Sequence, residues 1–164
     1  MLLGLTGLVG GGALLQGLMR SEPADAATTH AFEVAKTDAQ WREVLTPPQY
    51  RVLRQAGTEH PFTSPLDREK RRGTFACAGC RLPLFSSETK FDSRTGWPSF
   101  WTPLENAVVE DSDMTLGMKR VEVLCRRCGG HLGHVFDDGP PPTRLRYCMN
   151  GIAMNFIPST EDAS

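Results

Sequence analysis

The sequence predicts a mainly β fold, built from antiparallel sheets with short helices near the N-terminus. Short apolar runs bounded by Gly, Pro, Asn and Asp fill the chain from residue 74 onward, as strands in such sheets do. The 164 residues include 12 Pro and 16 Gly, which favour many turns over long helices. Two C-x2-C cysteine pairs lie within this region, and a shared metal ion would staple the fold.

Residues 1–27 are predicted to be an export signal or tail outside the fold, and residues 28–164 to form the domain. The first 19 residues carry no charge and are rich in Leu and Gly, and a cleavage-like Ala24-Asp25-Ala26 follows. A membrane anchor is the alternative, but so many glycines make a poor spanning helix. We expect an exported or periplasmic protein without stable membrane insertion of the mature domain, and a cytoplasmic location stays open.

Two short helices are predicted ahead of the β-region. Thr37 is the expected N-cap of the first, because apolar residues follow it at helical spacing. Those residues are Trp41, Val44 and Leu45. Thr46 precedes two prolines and begins the second helix, and Gly57 is its expected stop. Residues 60–73 form a polar connection.

Six strands are predicted after this connection, from short runs between turn residues. They cover residues 74–77, 108–111, 118–124, 135–136, 145–150 and 154–157.

The charge balance argues against nucleic acid as a partner. The net charge is −1, so the chain as a whole has no attraction for a polyanion or an anionic membrane. The basic runs at 68–72 and 125–128 are interpreted as solvated surface. A monomer is expected.

Four cysteines have the spacing of a zinc site. Two tight turns of this kind complete a closed tetrahedral shell of thiolates, which makes the zinc structural, one per chain. Two disulfides are the alternative in an exported protein. Zinc is favoured because a redox C-x2-C pair normally opens a helix, whereas these pairs are flanked by strand-like residues. The ligands are Cys77, Cys80, Cys125 and Cys128.

Cys148 is the one cysteine left over, and its surroundings suggest reactivity. Strand alternation puts Arg146, Cys148 and Asn150 on one face of the chain. A thiol between a guanidinium and an amide is in a setting that favours the thiolate. A small core residue is the usual alternative for a lone cysteine.

Two histidines, His131 and His134, are candidates to serve the same site. Residues three apart on a regular strand face opposite ways, but Gly133 permits a bulge that turns both rings to one side. Either ring is able to supply a proton or orient a water.

Four sequence blocks together resemble the B-type, R-selective methionine sulfoxide reductases. They are CAGC at 77–80, TGWPSF at 95–100, HLGHVFDDG at 131–139 and RYCMN at 146–150. The resemblance runs from about residue 36 to residue 157. It implies a β-fold with a structural zinc, reduction of methionine R-sulfoxide in peptides and proteins, and recycling by a thioredoxin-like reductant.

The resemblance also implies roles for individual residues. Cys148 corresponds to the nucleophile, which becomes a sulfenic acid as methionine leaves. His131 and His134 correspond to the residues that bind and protonate the sulfoxide oxygen, and Asp137 or Asp138 is a candidate to orient a histidine.

Further residues match positions that shape the family's site. Arg146 and Asn150 are implied to assist the thiolate. Trp97 is implied to receive the methyl group of the substrate, with Phe100 and Phe136 as further substrate-binding residues.

The chain departs from many members of this family at one consequential position. Thr95 stands where they have a second, resolving cysteine. If zinc holds four cysteines, the sulfenic acid needs an external thiol or a zinc ligand for its reduction. The competing hypothesis, a zinc-ribbon binding module with Arg126 and Arg127 as its contact, leaves Cys148 and the histidines unexplained.

Overall fold

The structure is a computed structural model that describes residues 31–113 and 120–160 of the chain. The predicted export segment and the start of the predicted strand 118–124 lie outside these ranges. Within them, no helix has both the length and the apolar character needed to cross a membrane.

Two helices begin at the predicted caps. Helix α1 spans Asp38–Val44 and helix α2 spans Pro47–Gln55. The Thr37 hydroxyl accepts a hydrogen bond from the Gln40 backbone amide, and the Gln40 side chain accepts one from the Thr37 amide. The same reciprocal box repeats at the start of α2. Each box satisfies backbone donors that a helix N-terminus otherwise leaves free.

The residue that caps the C-terminus of helix α2 is Ala56, one position before Gly57, the predicted stop. Ala56 adopts the left-handed conformation, with φ of 50°. The Gly57 amide then donates to the Arg51 carbonyl oxygen at 3.0 Å. A Cβ on Gly57 would lie 2.9 Å from that oxygen, so the glycine permits a close approach rather than the left-handed turn.

In the described part of the chain, nine strands form two antiparallel sheets, which confirms the predicted fold class. The smaller sheet has the order β2-β1-β9 and the larger one β3-β4-β8-β7-β6-β5. The strands are β1 (Gly73–Cys77), β2 (Pro83–Ser86), β3 (Lys90–Phe91), β4 (Ser99–Phe100), β5 (Val108–Asp113), β6 (Arg120–Cys125), β7 (His131–Phe136), β8 (Arg146–Met149) and β9 (Met154–Pro158).

The strand prediction missed three strands and shortened two others, β5 and β7, by two residues or more. Strands β3 and β4 have only two residues each, and the four residues of β2 show no alternation of polar and apolar side chains. Strand β7 is longer than predicted, because its glycine and histidines gave no apolar run. Strand β8 is one residue shorter than predicted at each end.

The core contains an aromatic cluster at the junction of the two sheets. Phe100 of the large sheet stacks on Phe85 with ring centroids 4.4 Å apart, and meets Phe75 edge-on at 4.9 Å. Tyr147 of β8 lies 5.9 Å from Phe85. These contacts hold β8 from its apolar face and leave its other face for chemistry.

Candidate catalytic and metal sites

Four cysteines of the described residues form a compact cluster, as predicted. Their sulfur atoms all lie within 4.8 Å of one another. Cys77 ends β1 and Cys125 ends β6, while Cys80 and Cys128 lie in the turns that follow. The cluster therefore joins the small sheet to the large one.

The two cysteine turns have the same backbone design. The residue four positions after the first cysteine has a left-handed φ, 62° at Arg81 and 65° at Gly129, and its amide donates to the carbonyl of that cysteine. The amide of the first cysteine donates to the carbonyl oxygen five positions later, which is Leu82 in one turn and Gly130 in the other, at 2.8 Å in both. This repeated geometry aims two thiols from each turn at one point.

The sulfur geometry fits a tetrahedral metal ion. Cys77 and Cys128 have sulfurs 3.7 Å apart, and Cys80 and Cys125 have sulfurs 3.5 Å apart. Four thiolates around one zinc at its usual bond length lie about 3.8 Å from each other. Hydrogen bonds among the four close thiols lower the pKa of Cys80 and Cys125 and raise the pKa of Cys77 and Cys128.

The two helices cover this cluster. A Cβ on Gly130 would lie 2.9 Å from the buried Leu53 of α2, whereas one on Gly79 would be in ordinary contact with Trp41 of α1 and with Leu53, at 3.5 and 3.7 Å. Arg54 of α2 donates to the Cys128 carbonyl at 2.9 Å. Arg126 and Arg127 both pair with Glu33, at 2.7 and 3.8 Å.

Cys148 lies in β8 on the face turned away from the core. Its neighbours Tyr147 and Met149 are buried, whereas Cys148 itself is half-buried. It is directly opposite Ser99 of β4 on one side and His134 of β7 on the other. Directly opposed residues in antiparallel strands have side chains on the same face of the sheet, so the His134 ring lies on the same face as the Cys148 thiol.

The predicted bulge brings the two histidines together. In the pairing of β6 with β7, Val123 opposes Gly133 and Leu124 opposes His131, which leaves Leu132 as the extra residue. The rings of His131 and His134 meet edge-on with centroids 5.4 Å apart. A Cβ on Gly133 would lie 2.2 Å from the Cys148 carbonyl oxygen, so only glycine fits here.

A small cavity opens onto Cys148. Its volume is about 170 Å³, below the usual range for drug-sized ligands and suited to a single side chain. The lining residues are Thr58, Trp97, Arg120, Gly133, His134, Phe136, Cys148 and Asn150. An indole, a phenyl ring and an imidazole thus surround the thiol. The larger groove of about 920 Å³ along residues 67–70 and 90–94 contains none of the predicted site residues.

His131 lies behind His134 and is held by a carboxylate. It is only 4% exposed, and its Nδ1 lies 2.6 Å from Glu122 Oε1. Its buried Nε2 has no hydrogen-bond partner among the residues that the structure describes. The acid that orients a histidine here is therefore Glu122. Asp138, one of the two predicted acids, bonds elsewhere.

Arg146 is fixed by the acid that was predicted for a histidine. Its Nε and Nη2 donate to the two oxygens of Asp138, both at 2.8 Å, and its guanidinium lies 4.3 Å from the Phe136 ring centroid. The hydrogen bond to Asp138 raises the pKa of Arg146, and attraction to Cys148 adds to it. Arg146 thus fixes one wall of the cavity and keeps a positive charge near the thiol.

Glu59 organises the opposite wall. Its backbone amide donates to the Asn150 side chain at 2.9 Å, and its carbonyl accepts from the Trp97 indole at 3.2 Å. Its carboxylate accepts from the amides of Gly151 and Ile152. Burial raises the pKa of this carboxyl despite those hydrogen bonds.

The structure brings most of the predicted site residues together. Trp97, His134, Phe136 and Asn150 line the cavity with Cys148, and His131 and Arg146 support it. Phe100 is the exception. Ser99 faces the thiol, so the next residue of β4 points to the opposite side, where Phe100 is fully buried. We assign Phe100 to the core rather than to substrate binding.

Sequence reasoning missed Thr58, Glu59, Arg120 and Glu122. Arg120 and Glu122 left a signal, because polar residues at alternate positions of an otherwise apolar strand mark a polar face. Thr58 and Glu59 lie in a connection without regular structure, where sequence gave no indication.

Comparisons with known proteins agree with this geometry. The family model for the SelR domain matches residues 45–158. The chain is 57% identical over 127 residues to the "Peptide methionine sulfoxide reductase MsrB" of Agrobacterium fabrum, covering 77% of this chain and 94% of that protein. Proteins of the same name from Leptospira interrogans and Methanosarcina barkeri are 53% and 52% identical, over 76% and 75% of this chain and 96% and 87% of their own.

Proposed function

Because the chain belongs to the SelR family and is a B-type peptide-methionine sulfoxide reductase, we propose that it reduces the R-sulfoxide of methionine through the thiol of Cys148. The observation that carries this proposal is the half-buried Cys148 sulfur in a cavity of about 170 Å³, beside Trp97 and His134.

The reaction transfers oxygen from one sulfur to another. The Cys148 thiolate attacks the sulfoxide sulfur to form an S–S bond, and the sulfoxide oxygen takes up a proton. The substrate S–O bond and the new S–S bond then break as the hydroxyl passes to the Cys148 sulfur, and methionine leaves as the thioether. The oxygen ends on Cys148 as a sulfenic acid. Cys148 is thereby oxidised by two electrons, and the substrate is reduced by two.

His134 is suited to deliver the proton. It faces Cys148 across the β7–β8 pairing and lines the cavity. His131 contacts its ring and is in turn fixed by Glu122, so the pair of rings is held in place before the substrate binds. Proton transfer in the transition state by a positioned imidazole commonly contributes about a hundredfold or more to the rate.

The aromatic wall of the cavity suits a methyl sulfoxide. The Trp97 indole is fixed by its hydrogen bond to the Glu59 carbonyl, and Phe136 is held under the Arg146 guanidinium. Contacts of methyl groups and sulfur with aromatic rings are favourable and select a thioether-like substituent. The two fixed rings and the histidine present different groups on each side of the thiol, which favours one sulfoxide epimer.

The cysteine cluster is proposed to hold one structural zinc ion. The ligands are Cys77, Cys80, Cys125 and Cys128, and the metal supplies no step of the reaction. Its contribution is to tie the end of β1 to the end of β6, which continues through a tight turn into the strand that carries both histidines.

Turnover requires an external thiol. If zinc occupies the cluster, Cys148 has no thiol partner among the five cysteines of the chain. We therefore propose a thioredoxin-like reductant that attacks the sulfenic acid directly, and an exported location on the basis of residues 1–27.

The decisive test is turnover of separated R and S epimers of a methionine sulfoxide peptide, with dithiothreitol as reductant. We expect the wild type to reduce the R epimer only. Cys148→Ser should lose at least about a thousandfold in rate, because an alcohol is a far weaker nucleophile than a thiolate. Its circular dichroism and zinc content should match the wild type. Residual R-epimer turnover near the wild-type rate would contradict the assignment.

A further inference from the structure

A chain of three hydroxyl groups leads away from the Cys148 sulfur. Thr95 Oγ1 lies 3.8 Å from Cys148 Sγ, within hydrogen-bonding reach of sulfur. The same oxygen is 2.8 Å from Ser93 Oγ, which is 2.7 Å from Ser99 Oγ. Ser99 is fully buried. Nothing in the role of Cys148 alone requires this chain.

The row of hydroxyl groups ends at a group that cannot keep a proton taken from Cys148. Ser99 Oγ also lies 3.1 Å from the Trp97 carbonyl oxygen, which only accepts hydrogen bonds. The chain therefore does not carry a proton away from the sulfur. It is able to reverse: each hydroxyl rotates between donating inward, toward the Trp97 carbonyl, and donating outward, toward Cys148.

We propose that Thr95 is a further catalytic residue, which donates a hydrogen bond to Cys148 Sγ once that sulfur is anionic. With a neutral thiol the chain points inward and Thr95 accepts from the S–H group. With a thiolate the hydroxyl groups point outward. Ser99 then donates to Ser93, Ser93 donates to Thr95, and Thr95 donates to the sulfur. Hydrogen bonds to a charged group are stronger than those to a neutral one, so the reversal favours the thiolate.

This inference rests on the proposed function only in taking Cys148 as the nucleophile. Within residues 31–113 and 120–160, the other titratable groups around that sulfur are His134 and Arg120 in the cavity and Arg146 on the same strand. All of these remain in the variants below, so a change in reactivity reports on the hydroxyl chain.

The experiment measures alkylation of Cys148 by iodoacetamide in the zinc-loaded protein. Trypsin cleaves after Arg146 and releases residues 147–164, a peptide that contains Cys148 and no other cysteine. Mass spectrometry of this peptide gives the rate at neutral pH and at alkaline pH, where the thiol is ionised in every variant. The ratio of the two rates reports the thiolate fraction and needs no methionine sulfoxide.

Thr95→Val removes the hydroxyl and keeps the shape of the side chain. We expect it to lower the neutral-to-alkaline ratio by about tenfold or more, the effect of a lost hydrogen bond to a charge. Thr95→Ser should stay within about twofold of the wild type, and Ser93→Ala should fall between the two, because it removes the partner of Thr95. Thr102→Val, whose hydroxyl bonds to the Pro103 carbonyl instead, is the control and should show no change.

An unchanged ratio in Thr95→Val would overturn the proposal, and so would a fall in Thr95→Ser as large as that in Thr95→Val. Circular dichroism of each variant identifies any loss of fold. Because alkylation is independent of the reductase assay, this proposal fails or holds separately from the proposed function.

Discussion

The chain uses cysteine in two regions with opposite surroundings. In the cluster, four sulfurs lie within 4.8 Å of one another, and three of the four side chains are buried. At the cavity, one half-buried sulfur faces a hydroxyl, an imidazole and a guanidinium. The first arrangement surrounds each thiol with others and suits a closed metal shell. The second isolates a thiol among hydrogen-bond donors and leaves it accessible, which suits a nucleophile.

The comparison shows that the groups around a cysteine, other thiols or hydrogen-bond donors, determine whether it suits metal binding or nucleophilic attack. Both regions draw on the same large sheet, through the end of β6 at the cluster and the central strands β7 and β8 at the cavity. Changing a sulfur to an oxygen should therefore affect stability in one region and chemistry in the other.

The largest expected effect is on stability, at the cluster. Cys77→Ser or Cys128→Ser should lose zinc and lower the free energy of unfolding by on the order of 3 kcal/mol or more, because metal binding contributes directly to folding. Metal analysis of the wild type should give about one zinc per chain. Cys148→Ser, the matched control, should keep its zinc and its urea midpoint. Two internal disulfides without metal would refute the comparison.

A smaller effect is expected for a residue that supports the cavity. Glu122→Gln removes the carboxylate from His131 Nδ1, which leaves the histidine pair less well oriented. We expect kcat to fall about ten- to a hundredfold with little change in KM, since the interaction serves proton transfer rather than binding.

Glu88→Gln is the control for that variant, because Glu88 is an exposed carboxylate that pairs with Arg72 away from the cavity. It should leave kcat unchanged. A rise in KM at constant kcat in Glu122→Gln would show that Glu122 shapes the cavity instead of supporting the proton donor.

The smallest expected effect concerns Asp138 and is dependent on pH. Hydrogen bonds from Arg146 lower the pKa of this carboxyl below its ordinary value of 3.8. The pair therefore stabilises the fold fully above that value, and its contribution is lost as the pH falls through the lower folded pKa. The Asp138 side chain is 61% exposed, so Asp138→Asn should cost less than about 1 kcal/mol at neutral pH.

Urea unfolding of wild type and Asp138→Asn measures that difference. It should shrink toward zero as the buffer is made more acidic than the pKa of the folded carboxyl. A difference that grows on acidification would have the wrong sign and would contradict the pairing.

The sequence predicted the parts of the site that follow from local pattern. Cysteine spacing indicated the cluster, strand alternation placed Cys148 opposite the core face, and Gly133 indicated the bulge between the histidines. The resemblance to the family indicated Trp97 and Phe136 as aromatic residues that bind the substrate. It also added Phe100, which alternation in β4 places in the core instead.

The residues that escaped prediction depend on long-range contacts. Glu59 reaches Asn150 across 91 positions of the chain, and Ser99 meets Ser93 only because a loop folds back between β3 and β4. Glu122 bonds to His131 through strand pairing, whereas the acids nearest the histidines in sequence, Asp137 and Asp138, looked equally suitable. Local periodicity carries no information on such pairings.

The central claim is that the oxygen of the substrate passes to Cys148, and one measurement tests it directly. The zinc-loaded wild type is mixed with one equivalent of R-sulfoxide peptide without reductant, trapped with dimedone and digested with trypsin. We predict one equivalent of methionine and a dimedone adduct on residues 147–164, which contain Cys148 alone. Methionine formed without that adduct, or with a disulfide between Cys148 and a cysteine of the cluster, would contradict the account.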